Sequence, residues 1–320
     1  MAETERRLDK ALCDWFANEE VLDTTIGGLL REQAAKNGDK DALLEGLPDG
    51  TVGRRWTYAQ LLHDAERLAR GLAARFQPGE RVAVWGPNVP EWVLVEYAAA
   101  LAGLTLVTVN PSYQKRELAY VLEQSTSVAL FLVSEFRGNP MAAIAAEVAE
   151  DLPALREVID MADEAALFTD PVGKLPEVDT NDPAQIQYTS GTTGFPKGVM
   201  LSHTNLIGNA KSIAACMRFS ATDNLCIPVP FFHCFGCVLG TLTCLVSAAC
   251  MSPVIQFKPD VVLETIEAER CTAVHGVPTM FIAELEEMER TPYDTQSLRT
   301  GIMAGAPCPI EVMKKVVDQM

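Results

Sequence analysis

The segment Tyr188-Thr-Ser-Gly-Thr-Thr-Gly-Phe-Pro-Lys-Gly198 carries the clearest chemistry in the 320 residues. Glycine permits tight and left-handed turns that aim several backbone N–H groups at one point, and hydroxyls add neutral donors. Such a loop suits a polyphosphate, with Thr189, Ser190, Gly191, Thr192, Thr193 and Gly194 as the cradle and Lys197 as a mobile positive charge. A Walker-type loop instead needs G-x-x-x-x-G-K-[ST], with a hydroxyl after the lysine for magnesium. Here the spacing is Gly191-x-x-Gly194-x-x-Lys197, Pro196 precedes the lysine and Gly198 follows it, which disfavours a P-loop NTPase. A Ser/Thr/Gly linker is the plain alternative, and the strand-like runs on both sides count against it.

A second candidate is His233 within Phe231-Phe-His-Cys-Phe235. Taken alone, a histidine in an apolar run is a satisfied core residue more often than a functional one. Cys234 and Cys237 form a C-x-x-C, but zinc needs a second ligand pair and none is near, so no metal site is expected.

These residues need a scaffold. From about residue 56, β-branched runs alternate with helical stretches, the pattern of parallel α/β units. The spacing predicts strands at 81–85, 104–109 and 128–133, with helices at 90–104 and 115–123. The second half restarts with strands at 184–188, near 198–201, and at 225–229, 249–255, 272–277 and 299–304. Helices are expected from Ser202 or Thr204, at 259–270 and 278–289, and from Pro309 onward. Two αβα subdomains are expected, 1–180 and 181–320, the second incomplete.

Composition bounds the partners. With 43 acidic and 26 basic residues the net charge is −17, which excludes a broad basic face and makes nucleic acid an unsuitable partner. A 48% hydrophobic share supplies a large core and rules out a disordered or collagen-like chain. Residues 139–182 hold 11 acids and 2 bases, which suggests a solvated helix and a surface connection at a subdomain seam. The nine cysteines are irregularly spaced and sit mostly in apolar runs, so they are expected to be reduced thiols. Without a signal-like N-terminus, the expected compartment is the cytoplasm. Residues 224–257 lack formal charge, but the glycines and prolines in and around that run favour a buried helix and strand over a transmembrane segment.

The loop closely resembles the signature of the adenylate-forming (AMP-binding) superfamily: acyl-CoA synthetases, adenylation domains and luciferases. Supporting matches are Val109-Asn-Pro-Ser-Tyr113 with Glu117-Leu118, Leu201-Ser-His-Thr-Asn205, Pro230-Phe-Phe-His-Cys-Phe-Gly236, Gly276-Val-Pro-Thr279 and Ala304-Gly-Ala-Pro307. The resemblance covers essentially all of the chain from about residue 20 onward, and the likeness is greatest to fatty-acid and medium-chain acyl-CoA synthetases. The resemblance implies the N-terminal region of that α/β fold: two stacked αβα subdomains with mostly parallel sheets. It also implies acid adenylation by ATP with Mg2+, followed by thioester formation with coenzyme A.

By family match, residues 189–194 with Lys197 hold the β- and γ-phosphates, while Gly305, Ala306 and Pro307 flank adenine. His233 gates the acyl pocket, lined by Cys234, Phe235, Gly236 and Val277; His233 and Lys197 are the catalytic candidates. Amino-acid-selecting relatives place an aspartate in the aromatic stretch. Phe231, Phe232 and His233 offer none, so the implied substrate is a carboxylic acid without an α-amine, fatty or aryl. The family's Tyr-Gly-x-Thr-Glu motif, later ribose aspartate and C-terminal domain are not found in the 320 residues, so the chain is expected to be the N-terminal part of such a ligase and impaired alone. A non-catalytic nucleotide- or acyl-binding module and an acyl-AMP ligase lacking the CoA step stay open, as does homodimer formation.

Overall fold

The computed structural model describes residues 22–169, 171, 173–189 and 196–320. Helix α1 (Ile26–Asn37) is capped by Thr25, whose hydroxyl accepts from the Gly28 N–H. A hairpin follows, β1 (Asp41–Gly46) and β2 (Val52–Thr57), then helix α2 (Tyr58–Arg75), opened by a capping box between Thr57 and Gln60. Next come β3 (Arg81–Trp85), α3 (Pro90–Leu101), β4 (Thr105–Val109), α4 (Lys115–Ser125) and β5 (Ser127–Leu132). Helix α5 (Met141–Ala149), β6 (Glu157–Asp160) and the short α6 (Glu164–Leu167) continue the series.

Strands β7 (Pro183–Thr189) and β8 (Lys197–Ser202) pair antiparallel, and α7 (His203–Met217) starts from a Ser202 cap. Strand β9 (Asn224–Ile227) leads into an irregular helical segment: α8 (Cys234–Gly236), a π-helical turn over Cys237–Leu242, and α9 (Thr243–Ser247). The order closes with β10 (Cys250–Pro253), α10 (Pro259–Glu269), β11 (Ala273–Gly276), α11 (Pro278–Met288), β12 (Thr300–Met303) and α12 (Ile310–Gln319).

The strands make two six-stranded sheets, β6-β5-β3-β4-β7-β8 and β12-β11-β9-β10-β1-β2. Each is parallel except for one antiparallel hairpin at an edge. Side-chain alternation sets the layers. In β3, Val82 and Val84 face a core shared with Leu225, Ile227 and Met251 of the other sheet, while Ala83 and Trp85 face away toward α4 and α5. Cys226 and Val274 likewise turn outward to α10 and α11. The result is an αβαβα stack in which α3, buried everywhere but at Glu91, lies between the sheets.

The expected elements recur with ends moved by a few residues, as at α3, where Ala102 and Gly103 stop the helix before the expected Leu104. Sheet membership does not divide at 180–181. Strands β7 and β8 complete the first sheet, and β1 pairs in parallel with β10 of the second, Leu43 opposite Met251. Residues 139–182 are more than a connection: α5 buries Met141, Ala145 and Val148, and β6 extends the first sheet. Among the described residues, no helix is long and apolar enough to cross a membrane. The uncharged run is instead the irregular helical segment followed by β10.

Candidate functional site

In open α/β sheets, ligands collect beyond the carboxyl ends of the strands. Here the ends of β3 and β9, from different sheets, meet. Asn88, in the turn after β3, donates to the carbonyls of Ile227 (3.1 Å) and Val229 (2.9 Å) and accepts from the Phe231 N–H (2.8 Å). Trp92 of α3 packs on Phe231 with ring centroids 5.4 Å apart. The turn that carries His233 is therefore held from the opposite sheet.

His233 caps α8. Its Nδ1 accepts from the Phe235 N–H at 3.1 Å, so the neutral ring keeps its hydrogen on Nε2. Partial desolvation lowers the imidazole pKa and favours that neutral form, although the residue is exposed overall. Cys234 is exposed beside it, while Phe235 and Gly236 are buried. Position 236 requires glycine because a Cβ there would overlap the Pro230 carbonyl.

Phe235 lies against His275 of β11, with centroids 5.3 Å apart. The His275 Nε2 is 3.0 Å from the Leu239 carbonyl, its Nδ1 has no side-chain hydrogen-bond partner among the described residues, and burial pushes its pKa down to about 4. Beyond the same strand, Val277 meets Gly305, because the parallel register sets Gly276 beside Met303. Gly305 has φ of +84°, and a Cβ there would stand 3.1 Å from a Val277 methyl, so the backbone can approach closely. Ala306 and Pro307 are exposed just past it.

The strand leading into the candidate phosphate loop belongs to the other sheet. The β7/β8 register pairs Thr189 with Lys197, so the hairpin brings the two ends of the loop side by side, both exposed. Helix α4 grips both strands at this end: the Tyr120 hydroxyl donates to the Pro196 carbonyl (2.9 Å), and Tyr188 donates to the Val121 carbonyl (3.2 Å). Ser190, Gly191, Thr192, Thr193 and Gly194 lie outside the described residues.

A buried polar cluster joins this strand to the His233 turn. Gln185 Nε2 donates to Glu96 Oε1 (2.7 Å), and Gln187 Nε2 reaches both Gln185 Oε1 (2.9 Å) and Cys237 Sγ (3.0 Å). The Thr241 hydroxyl is 2.8 Å from Glu96 Oε2 and bonds the Cys237 carbonyl. Burial pushes the Glu96 pKa up to about 8, against the lowering influence of Thr241 and Gln185.

The candidates thus form two groups. One is Thr189 with Lys197; the other runs from His233 through Phe235 and His275 toward Val277 and Gly305. The sequence reading did not single out Asn88, Glu96, Gln185, Gln187 or Thr241. The available signal was a lone acid within the apolar Trp92–Leu101 stretch and two glutamines alternating along an otherwise apolar strand.

Among the described residues, no three His, Cys, Asp or Glu side chains are placed to hold a metal ion. Cys237 is buried on Gln187 while Cys234 faces out, so the pair makes no joint ligand set. A groove of about 680 Å³ lies beside the β1/β2 hairpin, but Arg54 and Arg55 in its wall are already paired with Glu45, Glu91 and Glu269.

A family model described as AMP-binding enzyme matches residues 30–320. The YngI protein of Bacillus subtilis strain 168 is 43% identical over 94% of this chain and 60% of its own length. The acyl-CoA ligase SID4 of Ajellomyces capsulatus is 38% identical, over 94% of this chain and 54% of its own. The chain thus spans little more than half the length of these curated relatives. Among solved structures, the N-terminal domain of FACL13 from Mycobacterium tuberculosis superposes with a TM-score of 0.80 at 27% identity, over 92% of this chain and 73% of that one.

Proposed function

The chain belongs to the AMP-binding enzyme family, and from that premise we propose that it carries the acid- and ATP-binding part of an ATP-dependent carboxylic acid–CoA ligase. An oxygen of the acid attacks the α-phosphate of ATP, and pyrophosphate leaves. The thiol of coenzyme A then attacks the acyl carbonyl of the acyl-adenylate, and AMP leaves.

The chain's own groups have assignable parts. Thr189, the loop donors and Lys197 bind the β- and γ-phosphates. Two unit charges 4 Å apart interact by roughly 4 kcal/mol at an effective dielectric of 20, so one lysine at the loop mouth is a substantial contribution. Gly305, Ala306 and Pro307 lie against the adenine. His233, neutral with its hydrogen on Nε2, donates to an oxygen of the bound acid or adenylate and stands at the mouth of the acyl pocket beside Cys234, Phe235, Gly236 and Val277.

We read the preferred acid as a medium- or long-chain fatty acid. The observation that carries this reading is the His233 turn: Phe231, Phe232 and His233 provide no carboxylate for an α-amine, and the turn lies within a 34-residue uncharged run. It also accords with the name of the medium-chain acyl-CoA ligase ACSF2 of Danio rerio, 33% identical over 95% of this chain.

Pyrophosphate release with fatty acids of graded length, aryl acids and amino acids, each with and without coenzyme A, tests the proposal. The assay uses the chain joined to the downstream half of a relative. Fatty acids are expected to be the best substrates, with thioester formed only when coenzyme A is present. Preference for amino acids would overturn the substrate reading, and robust turnover by the 320 residues alone would overturn the expectation that they are impaired without that half.

A further inference from the structure

We propose that Glu96 is a positioning residue whose neutral carboxyl closes a buried hydrogen-bonded ring, holding the His233 turn against the strand that carries Thr189. The inference rests on the reading of His233 and Thr189 as substrate-facing groups, but the ring itself is argued from a proton count.

A hydroxyl has one proton to give. The Cys237 carbonyl can only accept, so the Thr241 hydroxyl that bonds it spends its proton there. The 2.8 Å contact between Thr241 Oγ1 and Glu96 Oε2 is then a hydrogen bond only if Glu96 supplies the proton. Glu96 Oε1 accepts from Gln185, whose own carbonyl accepts from Gln187. The second proton on Gln187 Nε2 goes to Cys237 Sγ, and the thiol has two acceptors in reach, the His233 carbonyl at 3.5 Å and Gln185 Oε1 at 3.7 Å. The circuit runs from Glu96 through Thr241, Cys237, Gln187 and Gln185 back to Glu96, and each contact in it then joins one donor to one acceptor.

With Glu96 ionised, the same geometry would set two acceptors against each other or strip the Cys237 carbonyl of Thr241. The ring spans α3, β7 and the π-helical turn, the three elements that lie between the two halves of the site. Its contact with the His233 main chain gives it leverage on the exposed imidazole without touching substrate.

The surroundings favour this proton assignment. Strand β7 contributes only neutral amides, and the titratable groups that face Glu96 are Cys237 on the π-helical turn and Tyr97 on its own helix, with Tyr58 of α2 behind. Burial holds all three in their neutral forms. Burial raises the Glu96 carboxyl likewise, so the ring opens as pH climbs past about 8.

The test uses the 320-residue chain and the same chain joined to a relative's downstream half. Infrared spectra at neutral pH are expected to contain the carbonyl band of a buried protonated carboxyl that is absent in Glu96→Gln. Its absence from the wild type would overturn the ring whatever the activity. Maleimide labelling read by peptide mass, with exposed Cys234 as internal reference, should find Cys237 protected in wild type and Glu96→Gln. In Glu96→Leu its labelling should rise by roughly tenfold or more.

In the joined enzyme, Glu96→Leu should lower kcat for adenylation with little change in the KM for ATP, and Glu96→Gln should restore most of it. Glu96→Gln should also remove the loss of rate above about pH 8 that the ring predicts. An inactive joined wild type with the band and protection intact would count against the functional reading and leave the ring standing. If Glu96→Leu does not fold, the band and the pH profile of Glu96→Gln decide; a Glu96→Gln enzyme that keeps the alkaline loss overturns the proposal.

Discussion

Strand β8 runs along the open edge of its sheet with Lys197, Gly198, Val199 and Met200 exposed, whereas α3 lies between the sheets with all but Glu91 buried. Both border the proposed site. The edge hairpin offers charge and backbone to a ligand and contributes little apolar burial. Helix α3 and the turns around it touch no proposed ligand, yet Trp92, Glu96 and the preceding Asn88 fix where the His233 turn stands. The contrast separates binding from positioning: damage at the edge should cost affinity, and damage at the seam should cost stability first.

The largest expected effect is at the seam. Trp92→Ala removes a fully buried indole and its packing on Phe231, and should lower unfolding free energy by roughly 3–5 kcal/mol, measured by urea denaturation. Acidification strains the seam at His275 and, apart from it, the junction of α1 and α7 at His203. His203 and His275 are both buried with pKa values pushed down to about 4, so the folded state binds fewer protons than the unfolded state. Their contribution is complete above the ordinary histidine value and is lost as pH falls toward 4. For His275 alone the loss is on the order of 3 kcal/mol. Denaturation midpoints between pH 7 and pH 4.5 should fall, and His275→Asn should flatten the curve; a flat wild-type curve would remove the seam's claim to pH-sensitive stability.

Asn88→Ala strands two carbonyls and one N–H and should cost roughly 1–3 kcal/mol in the same denaturation assay. At the other extreme, Lys197→Ala should leave stability within about 0.5 kcal/mol, while ATP affinity by calorimetry falls roughly tenfold or more. A Lys197→Ala protein that melts early but binds ATP normally would erase the comparison.

The two regions also differed in what the sequence revealed. The loop and the His233 stretch are local motifs, read from contiguous residues, and the parallel α/β pattern followed from alternation, as in β3 and β4. The partners of Glu96 lie at Gln185 and Thr241, separations at which no local period survives. The β1/β2 hairpin was missed for a related reason: Gly53, Arg54 and Arg55 interrupt its apolar pattern, and its parallel partner is β10. The π-helical turn leaves no mark on an apolar run that reads equally as ordinary helix.

That pairing of Leu43 with Met251 also sets a timetable for synthesis. A ribosome adding roughly 5–20 residues per second needs roughly 10–40 s to travel from one to the other. Through that interval Ala42, Leu43 and Leu44, all buried in the finished fold, have no parallel neighbour to cover them. The strands of the first sheet can pair from β3 onward meanwhile, whereas β1 must wait for β10 to gain its parallel neighbour.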